Sequence, residues 1–162
     1  MDKQNSDAGA LPMRPFDKTL DAQRVRDFFD QMGGESRGFF NRGGFNARTT
    51  LDFFTPDAAE RYKNHAFFMA LDGERMAGYC FLWDLDKSVP WLGIAVAEDW
   101  KGRHLGRALM AYAEALAREK NKGGILLTTH TANLRGQSLY ERCGYERLGM
   151  HSSGEFLYLK RF

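Results

Sequence analysis

Apolar positions along the chain follow two periods, and the switch between them predicts the elements. Between residues 66 and 84, AFFMAL and RMAGYCFLW are near-continuous apolar runs flanking Asp72-Gly73-Glu74. An Asp-Gly pair between two such runs predicts a hairpin. The turn Asp84-Leu85-Asp86-Lys87 then leads toward a third strand, in which Leu92, Ile94 and Val96 alternate with smaller residues. Next the period changes: Leu105, Leu109, Tyr112 and Leu116 recur at helical spacing on one face. Asn121 to Gly124 end that helix, and Ile125, Leu126 and Leu127 open a strand running to about Thr131. A helix over 134–143 and two strands joined by Ser152-Ser153-Gly154 complete the chain.

The first third is less regular. Residues 1–11 are polar, without period, and read as a loose tail. Met13 to Phe16 suit a short strand, and Leu20, Val25, Phe28, Phe29 and Met32 lie along a helix stopped by Gly33-Gly34. Residues 33–54 interleave glycines at 33, 34, 38, 43 and 44 with Phe39, Phe40, Phe45, Phe53 and Phe54. Rings at that density must be buried against the sheet, a ligand or another subunit. Two readings stand: a second helix with irregular ends packed on the core, or an aromatic wall or lid over a binding site. Thr55-Pro56 has the form of an N-cap and first helical residue, starting a short helix through about Lys63.

The resulting order is β-α-α-β-β-β-α-β-α-β-β. Three successive strands suggest an antiparallel meander, while the β-α-β unit over 91–131 requires a crossover, expected parallel and right-handed. The expected class is α/β (α+β): a mixed central sheet with helices on both faces, in a single domain over residues 12–162. At 43% hydrophobic and 27% charged residues, the 162-residue chain has an ordinary globular composition. A net charge of +2 argues against nucleic acid as a partner. No apolar run approaches the ~18 residues of a membrane span and no signal pattern opens the chain, so a cytoplasmic location is expected. Cys80 and Cys143 are spaced for neither metal nor a redox pair, and are expected reduced.

The chemistry concentrates at residues 90–119. Gly102 and Gly106 lie in a basic turn, Lys101-Gly102-Arg103-His104-Leu105-Gly106-Arg107, between the third strand and the long helix. Such a turn aims unpaired backbone N–H groups at one spot, where the helix dipole and the Lys101, Arg103 and Arg107 charges add to them. This is a cradle for an anionic group, a pyrophosphate above all.

Residues 101–106 resemble the central motif of the GNAT superfamily of acyl-CoA-dependent N-acetyltransferases, written R/Q-x-x-G-x-G/A after a strand. Lys101 replaces the Arg or Gln and His104 stands at the first motif glycine, while Gly106 is kept. His104 is tolerable with helix-like or β-like dihedrals, since only positive φ strongly requires glycine. A second segment, Asn133-Leu134-Arg135-Gly136-Gln137-Ser138-Leu139-Tyr140-Glu141-Arg142-Cys143-Gly144-Tyr145, is similar to the family's N-x-x-(A)-x-x-L-Y-E-x-x-G-F/Y pattern. Taken singly, Asn133 could simply cap its helix, Gly144 end it, and Tyr140 fill the core. The resemblance covers about residues 12–162.

The resemblance implies a fold, a cofactor and roles. The strand at 92–97 would part from that at 125–131. Acetyl-CoA would lie between them, its pantetheine against Ile94, Ala95 and Val96 and its pyrophosphate on the turn from Lys101 through Gly102, Arg103, His104, Leu105 and Gly106 to Arg107. Asn133 would contact the cofactor, and Tyr140 would protonate or hydrogen-bond the departing thiolate. The reaction would be direct attack by a primary amine, of a small molecule or a protein, on the thioester, without a covalent enzyme intermediate. Relatives often carry a glutamate where this chain has Pro90 or Thr128, so His130, sharing a face with Thr128, is the candidate base. Asp84 and Asp86 could hold a cationic acceptor, and Phe39 and Phe40 wall it. The missing carboxylates leave open an alternative, a non-catalytic CoA or acyl-CoA binding module. A dinucleotide-binding reading fails on order, because its glycine turn follows the first strand. The edge of the C-terminal hairpin could pair with a second subunit as a homodimer.

Overall fold

The computed structural model describes residues 11–17, 19–42 and 63–162, with 40–42 described by backbone alone. The expected helix at Thr55-Pro56, the rings Phe45, Phe53 and Phe54, and the Phe40 side chain lie outside the described residues. In chain order the elements are β1 (Met13–Pro15), α1 (Ala22–Asp30), α2 (Gly34–Arg42), β2 (Ala66–Asp72), β3 (Arg75–Trp83), β4 (Trp91–Val96), α3 (Leu105–Glu119), β5 (Gly124–Thr129), α4 (Leu134–Arg142), β6 (Glu146–Met150) and β7 (Phe156–Arg161). A 3-10 turn at Glu98–Trp100 follows β4. The strands form one seven-stranded sheet in the order β1-β2-β3-β4-β5-β7-β6. Every neighbouring pair is antiparallel except β4 and β5, the two joined by α3.

β3 is buried from Met76 to Leu82 because both faces of the sheet are covered there. On one face Phe68, Cys80, Leu82, Ile125 and Leu127 meet Leu105, Leu109, Met110, Ala113 and Ala117 of α3. On the other, Met69, Tyr79 and Phe81 meet Val25, Phe28 and Phe29 of α1. Leu20, expected on the buried stripe of α1, is instead 62% exposed and precedes the helix. The cause is Asp21, whose buried carboxylate accepts two hydrogen bonds from the Arg14 guanidinium and one from the Asp17 N–H, so the chain turns there before the helix begins.

What positions the site is a failure of pairing. Antiparallel β3 and β4 are in register from Gly78↔Val96 to Trp83↔Trp91, but β4 and β5 share only Trp91↔Leu126. The Leu126 N–H donates to the Pro90 carbonyl at 2.9 Å, and beyond that point the strands part. β5 stops at Thr129, two residues before the expected end. Asn133 folds back to cap α4, and Gln137 Nε2 donates to the Thr131 carbonyl at 2.9 Å.

Candidate active site

The parted strands open a cleft of about 1070 Å³ between β4, α3 and α4. The backbone parity of β4 decides what faces it. The Ala97 N–H donates to the Ala77 carbonyl, so alternate residues back along β4 turn their amides toward β3. Ala95 therefore belongs to the β3 ladder, opposite Tyr79, whereas Ile94 and Val96 present N–H and C=O groups to the open side. Of the three expected backbone partners of a strand-like ligand, two face the opening.

At one end of the cleft lies the basic turn. The αL conformations fall at Gly102 (φ +74°) and at His104 (φ +64°), so His104 does not have the helix-like or β-like dihedrals that would make it easily tolerated. A left-handed residue with a Cβ costs about 1–2 kcal/mol, a strain that histidine tolerates better than β-branched residues. The loop closes nonetheless, and Leu105, Gly106 and Arg107 stand as the first turn of α3, where N–H groups lack intrahelical partners. Gly106 is needed for packing: a Cβ there would lie 2.9 Å from Leu139 Cδ2 on α4.

The charges divide. His104 and Arg107 line the cleft, while Arg103 turns away and stacks its guanidinium 3.7 Å from the centre of the Trp100 ring. Lys101 lines the cleft but is engaged: its Nζ donates to Glu98 Oε1 at 2.7 Å and contacts Ser36 Oγ, which itself donates to Glu98 at 2.8 Å. The Lys101 hydrogen bond holds the Glu98 carboxyl below the usual carboxylate range, against an opposing push from burial. Ser36 lies on α2, so this network ties α2 to the basic turn.

At the middle of the cleft sits the second motif. Asn133 Oδ1 accepts from the Gly136 N–H at 3.1 Å as the N-cap of α4, and its Nδ2 donates to Thr129 Oγ1 at 3.1 Å. Tyr140 is buried, and its hydroxyl also hydrogen-bonds Thr129. Burial, with the nearby negative charge of Glu155 among lesser causes, pushes the Tyr140 phenol above its ordinary range, so it keeps its proton at neutral pH.

A smaller cavity of about 110 Å³ adjoins the cleft, walled by Phe39, Phe81, Trp83 and Trp91 and edged by Thr128, His130 and Glu155. Phe39, Ile94, Asn133 and Tyr140 line both spaces and mark their junction. The His130 ring stacks on Phe39 at 5.1 Å, and its Nδ1 accepts from the Ala132 N–H at 3.0 Å. That contact occupies the Nδ1 lone pair, one of the two ring positions at which His130 could take a proton in the expected role of base. Asp84 and Asp86 line neither space. Asp84 sits in a left-handed turn and Asp86 pairs with Lys87 at 3.0 Å in solvent. Burial pushes the Cys80 and Cys143 thiols up, which argues against either as a nucleophile.

Trp83, Trp91 and Glu155 were not foreseen as site residues. The sequence holds one signal for Glu155, the short turn before the last strand, which requires strand register to be read.

No helix among the described residues is long and apolar enough to cross a membrane. Residues 25–145 match the model of the Acetyltransferase (GNAT) family. A Bacillus subtilis (strain 168) protein named for alanine N-acetylation of ribosomal protein bS18 is 28% identical over 109 residues, 67% of this chain and 72% of that protein. Among solved structures, the GNAT domain of S. lividans PAT superposes with a TM-score of 0.79 at 18% identity, over 93% of this chain and 89% of that one. The PaiA N-acetyltransferase of Thermoplasma acidophilum, solved with coenzyme A, gives 0.76 at 15% identity, over 94% and 99%.

Proposed function

Because the chain belongs to the GNAT family of acetyltransferases, we propose that it transfers an acetyl group from acetyl-CoA to a primary amine by direct attack within a ternary complex. The observation that carries this reading is the junction at Tyr140, a buried phenol between a long cleft and a small aromatic cavity. The cleft suits the cofactor in three respects. It has a volume of about 1070 Å³, the backbone of Ile94 and Val96 beyond the single β4–β5 pair, and the helix N-terminus at Leu105–Arg107 for a pyrophosphate.

Bound acetyl-CoA supplies an activated thioester carbonyl. The protein's part is to orient and to move protons. A free N–H of β4 polarises the acyl oxygen as an oxyanion donor does. Tyr140, oriented by Thr129 and Asn133, gives its proton to the departing sulfur. The aromatic walls Phe39, Trp83 and Trp91 hold the acceptor, whose ammonium they attract through their ring faces.

Thermal unfolding with acetyl-CoA, CoA or NAD added separately tests the cofactor. Ligand at ~100 times its dissociation constant adds about 2.7 kcal/mol, visible as a rise in Tm with the CoA species alone. Thiol release from acetyl-CoA in the presence of amines tests the reaction. The absence of carboxylates at Pro90 and Thr128 favours a second reading, a CoA-binding module without turnover. A Tm shift without thiol release over a broad amine panel would establish it. The edge strand β6 exposes Leu148 and Met150, and a homodimer through that edge is tested by gel filtration.

A further inference from the structure

We propose that Glu155, on the turn between β6 and β7, is the general base that takes the proton of the acceptor amine. The assignment rests on the transferase reading above and names the group that reading leaves open.

Strand register brings the residue to the site. β5 and β7 pair as Thr128↔Leu157 and Thr129↔Phe156, the last pair of that ladder, and His130 and Glu155 are the residues that come next on the two chains. The end of the ladder thus delivers a carboxylate from the β6–β7 turn to the cavity that Thr128 also lines. His130 and Glu155 both line the small cavity.

The turn is built to hold it. The His151 N–H donates to the Glu155 carbonyl at 2.7 Å, and the Gly154 N–H donates back to the His151 carbonyl at 3.0 Å. Gly154 adopts the left-handed conformation the turn needs, at φ +84°. The His151 ring packs edge-on to Trp91, 5.7 Å between centres, which fixes the turn against the cavity wall. Glu155 is half-buried, and none of the described side chains pairs with its carboxylate. A carboxylate beside aromatic ring faces suits an ammonium ion, which the cation–π attraction of Trp83 or Trp91 draws to the same place.

The other groups at the cavity are otherwise committed. His130 accepts at Nδ1 from the Ala132 N–H, and Tyr140 keeps its proton. Glu155 is the one anionic acceptor of protons lining the cavity among the described residues. The step balances as follows. The ammonium gives one proton to Glu155, and the freed lone pair forms the C–N bond as the C–S bond breaks. Tyr140 gives its proton to the leaving sulfur, and the second nitrogen proton restores the tyrosine. One proton is released to solvent per acetyl group transferred.

The test is Glu155→Gln, assayed by thiol release from acetyl-CoA with spermidine, kanamycin and a peptide bearing a free N-terminal alanine. With any amine the wild type accepts, kcat should fall about 10²–10⁴-fold at neutral pH. The Tm shift produced by acetyl-CoA should be unchanged. Activity of the variant should climb with pH as free amine accumulates, and Thr128→Glu in the variant background should restore at least tenfold. Unchanged kcat, or a raised KM with kcat intact, would overturn the assignment while leaving the transferase reading in place. A wild type that binds acetyl-CoA yet acetylates none of the three amines would overturn the transferase reading itself.

Discussion

The two spaces that meet at Tyr140 are made in opposite ways. The larger cleft is built from three runs: 94–107 through β4, the basic turn and the start of α3, then 133–142 on α4, and 32–39 at α2. On the proposed reading its binding groups are backbone amides and a helix end. The smaller cavity takes one or a few side chains each from α2, β3, β4, β5, α4 and the β6–β7 turn. A backbone site needs a contiguous stretch with set dihedrals, and such a stretch leaves a motif. A side-chain site needs only proximity, which leaves none. On the proposed reading, acceptor identity can then change at the small cavity without disturbing the larger cleft.

The sharpest way to break this division is Tyr140→Phe. It should lower kcat about 10²–10⁴-fold with acetyl-CoA binding intact, by thiol release and calorimetry. A parallel loss of binding would show the two halves to be one. Gly106→Val comes next. The added carbons meet Leu139 at the α3–α4 contact, and overpacking of this kind costs about 1–3 kcal/mol. Tm should drop by about 2–4 °C per kcal/mol, and acetyl-CoA should bind at least tenfold more weakly. Amine preference, measured as ratios of kcat/KM, should not move.

Glu98→Gln should have a smaller effect of the opposite sign on the cofactor half. It frees Lys101 from its 2.7 Å pair, so acetyl-CoA should bind two- to fivefold tighter, with a steeper salt dependence by calorimetry. The pair itself, with Glu98 45% exposed, contributes under about 1 kcal/mol to stability. Since the folded-state carboxyl is held low, that contribution is complete above the unfolded value of about 4.3 and disappears as pH falls through the folded one. Urea titrations of wild type and variant should converge in acid. His104→Gly should do least. Relief of the left-handed strain is largely offset by the added entropy of the unfolded chain, leaving about 0.5 kcal/mol and a Tm rise of about 1–2 °C. A fall in Tm would mean the imidazole holds the loop.

By itself the sequence determined the element order and the stretches that line the larger cleft. The periodicity of Leu105, Leu109, Tyr112 and Leu116, the Asp72-Gly73 turn and the Asn133–Tyr145 motif are local features, and local chemistry is written in consecutive residues. It misjudged Leu20, because the part-buried Arg14–Asp21 pair sets where α1 begins, and that pairing is not a feature of the apolar period. It left the conformation of His104 open. Dihedrals follow from closing the loop onto α3, a demand the histidine side chain does not announce. Tertiary structure alone decided that β4 and β5 part after a single pair, that Ala95 faces β3, and that Asp84 and Asp86 stay outside. It also decided that Glu155 lines the small cavity with His130. These are matters of register and of which strand lies beside which, fixed by burial across both faces of the sheet and not by any residue's own neighbours.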